Sequence, residues 1–217
     1  MNRGEGVPLS ANLDIQLMGV NPEKVKVFTS ATKPLLLPFY YRLKGDAENR
    51  PETFTMMFKT GDDMRQDQLV LQMFYLMDSV LREIGLDLQF SHYNLIAMTK
   101  DDGLLQFVPK SKTIQDILNE EKSIEKYLRS HAKTPEEYEQ ILNTYINSVA
   151  GYCNATYILG IGDRHMENLM IDNQGKFFHI DFGFMFGVEP NGFKKSLSTP
   201  IRISKEMVEP LGGIGSP

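Results

Sequence analysis

The chain has 217 residues, and its 23 basic and 28 acidic side chains give a formal net charge of −5 at pH 7, which argues against a dedicated nucleic-acid-binding protein. Hydrophobic residues make up 41% and charged residues 24%, which is ordinary for a globular protein and excludes a disordered or collagen-like chain. The single cysteine excludes an internal disulfide framework. Because no apolar run approaches the roughly 18 residues of a membrane span and the N-terminus lacks a signal-peptide core, the sequence predicts a soluble intracellular protein.

Strand patterns dominate the first 110 residues. Runs of β-branched, aromatic and apolar residues between turn-like stretches predict strands at 24–30, 34–43, 52–59, 94–98 and 104–109. Between the third and fourth of these runs, residues 63–85 carry apolar side chains at helical spacing and predict one long helix. The apolar positions of that helix are Leu69, Met73, Leu76, Met77, Val80, Leu81 and Ile84.

After Pro109 the pattern becomes helical, with short helix candidates at 113–121 and 123–131. The clearest helix start is Thr134, because a proline occupies the next position and Glu137 occupies the capping-box position. An apolar stripe of about five turns follows and predicts a buried scaffold helix. The stripe consists of Tyr138, Ile141, Leu142, Tyr145, Val149, Tyr152, Cys153 and Thr156.

A β-hairpin is predicted next, because two apolar runs at 168–172 and 176–180 flank the turn residues 173–175. Asp181-Phe182-Gly183 leaves the second strand of this hairpin. A strand-rich half followed by a helical half predicts an α+β fold with two lobes and a cleft.

The residues around the hairpin suggest phosphoryl transfer, which needs few protein groups because positioning and charge neutralisation do most of the work. Protein kinases supply these groups as H-R-D-x-x-x-x-N followed by D-F-G. Here Asp163 and Asn168 have the same separation, and Asp181 follows after one hairpin, although the order D-R-H puts His165 on the other side of Asp163. Taken singly, these residues are better explained as turn formers, a strand-end cap and a structural histidine. Their ordered combination predicts a phosphoryl-transfer site.

The stretches GDRHMENLM, HIDFG and FKTGDDMRQDQL resemble the phosphatidylinositol 3-/4-kinase family. Within it, NPEKVKVFTSATKPLLLPF and AGYCNATYILGIGDRHMENLM are most similar to the class III phosphatidylinositol 3-kinase catalytic domain. The resemblance runs from about Leu13 to Gly213 and implies a bilobal protein-kinase-like fold. Since the family has further helices after the region resembling SKEMVEPLGG, we expect the helical lobe to be C-terminally truncated and incomplete.

The resemblance also implies a division of the chain. It implies an N-lobe at 1–108 that ends in a hinge at 105–108, and a C-lobe at 109–217. Within the C-lobe, the catalytic loop would occupy 162–168, the DFG motif 181–183 and the activation loop 184–204.

Roles follow from the resemblance position by position. Lys59 would bind the ATP phosphates and assist catalysis, with Asp67 helping to position it. Asp163 and His165 would be the catalytic pair, and either could act as the base; Arg164 between them would be structural. Asn168 and Asp181 would hold Mg²⁺ or Mn²⁺. The remaining ATP-binding positions would be Ser30, Asp67, Tyr93, Gln106, Phe107, Val108, Met170 and Ile180.

The loop after the DFG motif departs from the class III pattern. Its basic residues are Lys194, Lys195 and, further on, Arg202. These charges are too few for a bisphosphorylated headgroup, so they predict unphosphorylated phosphatidylinositol as the substrate, or simply a solvated loop.

The function implied by the resemblance is transfer of the ATP γ-phosphate to the 3-hydroxyl of phosphatidylinositol, in endosomal trafficking and autophagy. The protein would be cytoplasmic and peripherally associated with endosomal or autophagic membranes, with a pseudokinase-like regulatory subunit and scaffold proteins as partners. Two alternatives stay open: a phosphatidylinositol 4-kinase, and a truncated, inactive kinase-like binding module.

Overall fold

The computed structural model describes residues 6–10, 12–28, 33–46, 53–188, 201 and 203–213. The chain divides into two compact units. The first comprises Met1–Leu71 and Tyr93–Pro109, and the second comprises Gln72–His92 and Lys110–Pro217. Strands dominate the first unit and helices the second, which confirms the α+β class. No helix in the described part of the chain is long and apolar enough to cross a membrane.

The first unit is built on an antiparallel sheet. Its strands are β1 (Val7–Leu9), β2 (Asn12–Val20), β3 (Lys26–Val27), β4 (Leu35–Leu43), β5 (Thr53–Thr60), β6 (Leu95–Ala97) and β7 (Asp102–Gln106). Among the described residues they are ordered β1-β2-β4-β5-β7-β6, with β3 paired to β4, and a short 3₁₀ helix at Pro22–Lys24 precedes β3. The core of this unit contains Leu9, Ile15 and Met56.

The predicted strands at 34–43, 52–59 and 94–98 are confirmed with small shifts at their ends. The strand predicted at 104–109 instead occupies Asp102–Gln106, because β5 pairs with it as far as Asp102. Only Lys26–Val27 of the predicted strand at 24–30 forms a strand within the described residues. The sequence analysis missed β1 and β2, because most of their side chains face solvent and only Leu9 and Ile15 are buried.

The second unit contains most of the helices. The elements after the sheet are β8 (Ser111–Thr113), α2 (Ile114–Glu121), α3 (Ile124–Ser130), α4 (Pro135–Ile158), β9 (Leu169–Asp172), β10 (Phe177–His179), α5 (Lys205–Val208) and a 3₁₀ helix (Glu209–Leu211). The long helix α1 (Arg65–Glu83) begins in the first unit and continues in the second. Strands β10, β9 and β8 form an antiparallel sheet in that order, of which β9 and β10 are the predicted hairpin.

Helix α4 confirms the prediction of a capped and buried helix. The Thr134 hydroxyl accepts a hydrogen bond from the Glu137 amide at 3.2 Å, and the Glu137 carboxylate accepts one from the Lys133 amide at 2.6 Å. The first bond satisfies an amide that the first helical turn leaves without an intrahelical partner, and the second ties the residue before the cap to that turn. From Tyr145 onwards the apolar stripe is buried.

Helix α1 forms where it was predicted, but much of the apolar stripe named from the sequence is not the buried face. Leu69, Leu76, Val80 and Ile84 are exposed. The buried positions are instead Val70, Phe74 and Asp78. Apolar spacing identifies a helix, but it does not determine which of two apolar faces the tertiary structure covers.

Glycine at position 175 is required by the hairpin turn. The Asp172 carboxylate accepts hydrogen bonds from the Gln174 and Lys176 amides at 2.8 and 2.9 Å, which closes the turn. Gly175 has φ of +83°, and a Cβ atom there would lie 2.4 Å from the carbonyl oxygen of Ile141 in α4. The turn therefore needs both a left-handed residue and the absence of a side chain.

We expect Gly175→Ala to lower the free energy of unfolding by about 3 kcal/mol, since left-handed strain and a backbone clash add. Gly85→Ala is the matched control, because Gly85 has the same φ of +83° with open space around it. Gly85→Ala should lower the free energy of unfolding by only about 1 kcal/mol. Urea denaturation of the two variants measures the difference, and equal losses would contradict the close approach to Ile141.

An aromatic cluster forms the centre of the second unit. The ring of Phe74 makes edge contacts with Tyr152 and Phe182, at centroid distances of 5.2 and 5.4 Å. Tyr152 stacks on His179 at 5.3 Å with an interplanar angle of 8°. The Tyr152 hydroxyl also donates to the carbonyl and accepts from the amide of Ser91, at 3.2 and 3.3 Å. The cluster thus holds together α1, α4, β10 and the segment that follows α1.

His179 should make stability depend on pH. Burial, together with the nearby Arg164 cation, lowers the pKa of His179 well below its ordinary value of 6.5. The unfolded chain takes up a proton near pH 6.5 that the folded chain does not, so stability is full above that pH and is lost as the pH falls below it.

We expect this loss to reach about 1.4 kcal/mol per pH unit. His179→Phe retains a ring against Tyr152 but cannot titrate. Urea unfolding at about pH 7.5 and about pH 5.5 should show a shallower pH dependence in the variant. Equal slopes for the two proteins would refute a neutral buried imidazole.

Candidate active site

The predicted catalytic loop lies between α4 and β9 in the second unit. Asp163 in this loop and Asp181 after β10 both adopt left-handed backbone conformations, with φ of +52° and +60°. Asp tolerates this region better than most residues, yet it still costs energy. Strained backbone of this kind concentrates at functional sites.

Arg164 joins the catalytic loop to the DFG segment. Its side chain is buried, with an exposure of 8% for the residue. Nε donates to the carbonyl of Gly162 at 2.7 Å, Nη1 donates to that of Ile180 at 2.8 Å, and Nη2 donates to that of Asp181. The guanidinium also lies over the Phe182 ring, 5.5 Å from its centroid. A single side chain therefore sets the spacing between two segments that carry predicted catalytic residues.

Asn168 makes a second link within this site. It is buried, and its side-chain Nδ2 donates to the Asp163 carbonyl at 3.0 Å. Its backbone amide donates to the His165 carbonyl, and its own carbonyl accepts from the Ile180 amide. With Nδ2 engaged, the Asn168 side chain offers its oxygen as the remaining polar atom.

The donor atoms of Asn168 and Asp181 suit a hard divalent cation. One amide oxygen and one exposed carboxylate could serve as oxygen ligands and would leave positions for phosphate oxygens and water. Within the described ranges, no three His, Cys, Asp or Glu residues are grouped as a metal site.

His165 is one of two exposed residues of the loop, the other being Glu167. Its imidazole is about half exposed, and Nδ1 lies 3.9 Å from a carboxylate oxygen of Glu167. It lines a groove of about 460 Å³, a volume within the range of small-molecule sites. The other residues of the groove are Gln115, Arg164, Met166, Glu167, Leu169 and Ser204.

The segment after the DFG motif pairs with residues at the start of the catalytic loop and just before it. The Gly162 amide donates to the Phe184 carbonyl at 2.9 Å, and the Gly187 amide donates to the Gly160 carbonyl at 2.9 Å. Gly160 has φ of +57°, and a Cβ atom there would lie 2.8 Å from the Gly187 nitrogen. Sequence analysis missed this pairing, although the glycines at 160 and 162 mark a segment that permits close backbone approach.

In the first unit, Lys59 is near the end of β5 and has an acidic neighbour. Its Nζ lies 3.5 Å from a carboxylate oxygen of Asp62. The turn that carries Asp62 is held by the Asp101 carbonyl, which accepts from the amides of Gly61 and Asp62 at 2.6 and 3.2 Å. Asp67 lies in the first turn of α1. The sequence analysis did not identify Asp62, although Asp62 follows Lys59 by three residues and the intervening Gly61 favours a turn.

The predicted hinge already uses two of its amides. The Gln106 amide donates to the Asn94 carbonyl at 2.6 Å, and the Phe107 amide donates to the Thr55 carbonyl at 2.9 Å. An adenine ring bound at this segment would therefore form hydrogen bonds with backbone groups other than these two amides. Tyr93 is buried in the first unit.

The other predicted nucleotide residues fall into different parts of the chain. Met170 is buried in β9, and Ile180 follows β10, so both belong to the second unit. Val108 belongs to the first unit. The predictions for Ser30, Lys194, Lys195 and Arg202 lie outside the described residues.

The matches to known proteins include residues of both units. The sequence model of the family described as "Phosphatidylinositol 3- and 4-kinase" matches residues 53–216. A Glycine max protein named "Phosphatidylinositol 3-kinase, root isoform" is 41% identical over 208 residues, which cover 93% of this chain and 24% of the relative.

Two further relatives carry the name "Phosphatidylinositol 3-kinase VPS34". The Arabidopsis thaliana protein is 40% identical over 215 residues, covering 96% of this chain and 25% of the relative. The Saccharomyces cerevisiae protein is 37% identical over 216 residues, covering 97% of this chain and 23% of the relative. The chain thus spans about a quarter of the length of the curated relatives it matches.

Proposed function

Because the chain belongs to the phosphatidylinositol 3- and 4-kinase family, we propose that it carries the ATP-dependent phosphotransferase site of a phosphatidylinositol 3-kinase. The γ-phosphate of ATP passes to the 3-hydroxyl of phosphatidylinositol, giving phosphatidylinositol 3-phosphate and ADP. The names of the plant and yeast relatives favour the 3-position over the 4-position.

The observation that carries this proposal is the linkage of the catalytic loop to the DFG segment. Arg164 donates to carbonyls on both segments, and the Asn168 side chain donates to the carbonyl of Asp163. These bonds connect the backbone of the loop that carries Asp163 and His165 with that of the segment that carries Asp181, which supports the proposal. Phosphoryl transfer depends on such positioning more than on covalent chemistry by the protein.

In the proposed step, the inositol hydroxyl oxygen forms a bond to the γ-phosphorus while the bond to the β–γ bridging oxygen breaks, and ADP leaves. The proton of the hydroxyl passes to His165 or Asp163. We favour His165, because its half-exposed imidazole lines an open groove and histidine is the side chain that most often serves as a general base. Asp163 then orients the hydroxyl or stabilises the imidazolium.

The remaining residues bind the nucleotide in this proposal. Lys59 neutralises phosphate charge, and Asn168 and Asp181 hold Mg²⁺ or Mn²⁺ through oxygen atoms. The bound cation would neutralise charge that develops on the transferred phosphoryl group. Asp67 and Tyr93 contribute polar groups to the nucleotide site. The residues that contact adenine are Gln106, Phe107, Val108, Met170 and Ile180.

The cellular setting is part of the same proposal and rests on the family resemblance. The substrate is phosphatidylinositol in a membrane surface, and the enzyme is cytoplasmic and peripherally bound to endosomal or autophagic membranes. Its partners are a pseudokinase-like regulatory subunit and trafficking or autophagy scaffolds, and the activation loop at 184–204 meets the lipid.

A lipid-kinase assay tests the proposal. The 217-residue chain is incubated with radiolabelled ATP, Mg²⁺ and phosphatidylinositol vesicles, and the position of the phosphate on the headgroup is determined by chromatography. We expect the 3-phosphate. A 4-phosphate would make the protein a phosphatidylinositol 4-kinase, and ATP binding without any lipid product would favour an inactive kinase-like binding module.

A further inference from the structure

A network of ionic side chains connects α1 to the segment that follows it, Leu86–His92, outside the proposed site. The carboxylate of Asp78 in α1 receives two contacts at the same oxygen, from Arg82 Nε at 2.9 Å and from His92 Nε2 at 2.6 Å. The other two nitrogens of Arg82 donate to the two carboxylate oxygens of Asp87 at 3.0 and 2.8 Å. Asp87 also accepts from the Gln89 amide at 2.9 Å, so the network reaches the backbone of the segment.

The burial and charge of Asp78 give His92 a role in this network. The Asp78 side chain is 4% exposed, and its second oxygen has no hydrogen-bond partner among the described residues. Burial would raise the pKa of Asp78, but the hydrogen bonds from His92 and Arg82 keep it below its ordinary value. One guanidinium faces two carboxylates, so a donor from His92 completes the compensation of the buried charge.

The network holds the residue directly before Tyr93. On one side of Tyr93, His92 contacts Asp78, and its ring lies against Tyr75 at a centroid distance of 5.2 Å. On the other side, Asn94 is fixed to Gln106, whose side-chain oxygen accepts from both the backbone and side-chain nitrogens of Asn94 at 3.1 and 2.8 Å. Tyr93 is the single residue between these two attachments, so its backbone position depends on both.

We propose that His92 is a positioning residue for nucleotide binding: through its contact with Asp78 it fixes the backbone that presents Tyr93 to ATP. This inference rests on the proposed function, since Tyr93 is a proposed ATP contact. His92 itself touches neither nucleotide nor lipid. The contact that it makes is between a carboxylate and a ring nitrogen, so any side chain with a donor at the same reach should replace it.

Two substitutions at His92 separate positioning from bulk. His92→Phe keeps an aromatic ring beside Tyr75 and removes the donor, and the 37% exposure of the imidazole favours folding of the variant. His92→Gln places an amide nitrogen about as far from the backbone as Nε2 and restores the donor. Asp78→Asn is a further variant, which retains the shape of the buried group and weakens both contacts. Arg129→Ala removes an exposed ion pair with Glu125 on another helix and is the control.

The first readout is the KM for ATP and the kcat of lipid phosphorylation, with the Kd for Mg²⁺-ATP measured directly. We expect His92→Phe to raise the KM and the Kd about tenfold and to leave kcat nearly unchanged. His92→Gln should recover most of the loss, Asp78→Asn should show a smaller rise, and the control should match wild type. Unchanged ATP affinity in His92→Phe, or no recovery in His92→Gln, would overturn the proposal.

The second readout is amide hydrogen exchange at Tyr93 and Asn94, which requires neither lipid nor turnover. We expect faster exchange at both amides in His92→Phe and wild-type exchange in His92→Gln. Identical exchange in all variants would overturn the positioning role. If wild type binds ATP but phosphorylates no lipid, the proposed function fails, while the ATP affinities and exchange rates still decide the role of His92.

Discussion

Replacement of Asp181 by asparagine is expected to reduce kcat for phosphate transfer by about a hundredfold to a thousandfold. The substitution keeps the size of the side chain and removes the charge that would hold the divalent cation. The carboxylate is exposed, and it is the backbone carbonyl of Asp181 that accepts from Arg164, so the fold should tolerate the change. The measurement is steady-state phosphorylation of phosphatidylinositol vesicles over a range of Mg²⁺ concentrations.

Asp101→Asn is the matched control for this prediction. Asp101 is an exposed residue in a turn of the first unit, and its carboxylate forms a weak ion pair with Lys100 at 3.7 Å. Its conversion to asparagine should leave kcat unchanged. An Asp181→Asn protein with wild-type kcat and wild-type dependence on Mg²⁺ would remove Asp181 from the proposed metal site.

Arg164→Met should lower both stability and activity. The substitution keeps a long side chain but leaves the carbonyls of Gly162, Ile180 and Asp181 without their shared donor. Loss of these buried hydrogen bonds should cost about 3 kcal/mol in the free energy of unfolding. Activity of the folded fraction should fall about a hundredfold, because the catalytic loop and the DFG segment lose their fixed spacing.

Arg164→Lys is expected to rescue little, since one ammonium group cannot match the three directions of the guanidinium. The control is Arg129→Met, which breaks an exposed pair with Glu125 and a cation–π contact with Tyr138, and should cost about 1 kcal/mol. Urea denaturation and the lipid-kinase assay on the same preparations measure both effects. Full activity in the folded Arg164→Met protein would show that the spacing of the two segments is set elsewhere.

Local signals explain why several elements were predicted correctly from sequence. The start of α4 depends on Thr134 and Glu137, which lie three residues apart and act on the first turn of their own helix. The hairpin of β9 and β10 depends on the Asp172 carboxylate and the turn it closes. Because such contacts join residues only a few positions apart, a short stretch of sequence is enough to predict them.

The residue types of the proposed site were visible for the same reason. Asp163 and Asn168 are five residues apart, and a short hairpin brings the chain to Asp181. The motif identifies which side chains could take part in phosphoryl transfer. It does not contain the contacts that hold them, such as the bond from Arg164 to Ile180 across 16 positions.

Local sequence patterns predicted α1 to α4 and the hairpin of β9 and β10, and they pointed to the polar residues of the proposed site. That α1 buries Phe74 and Asp78 rather than Leu76 and Val80 depends on tertiary contacts, which no local pattern contains. The tertiary structure also decided that the Tyr152 hydroxyl binds Ser91, 61 residues away along the chain. Burial and long-range hydrogen bonds depend on which segments meet in space, and hydrophobic periodicity records only that a face is apolar, not what covers it.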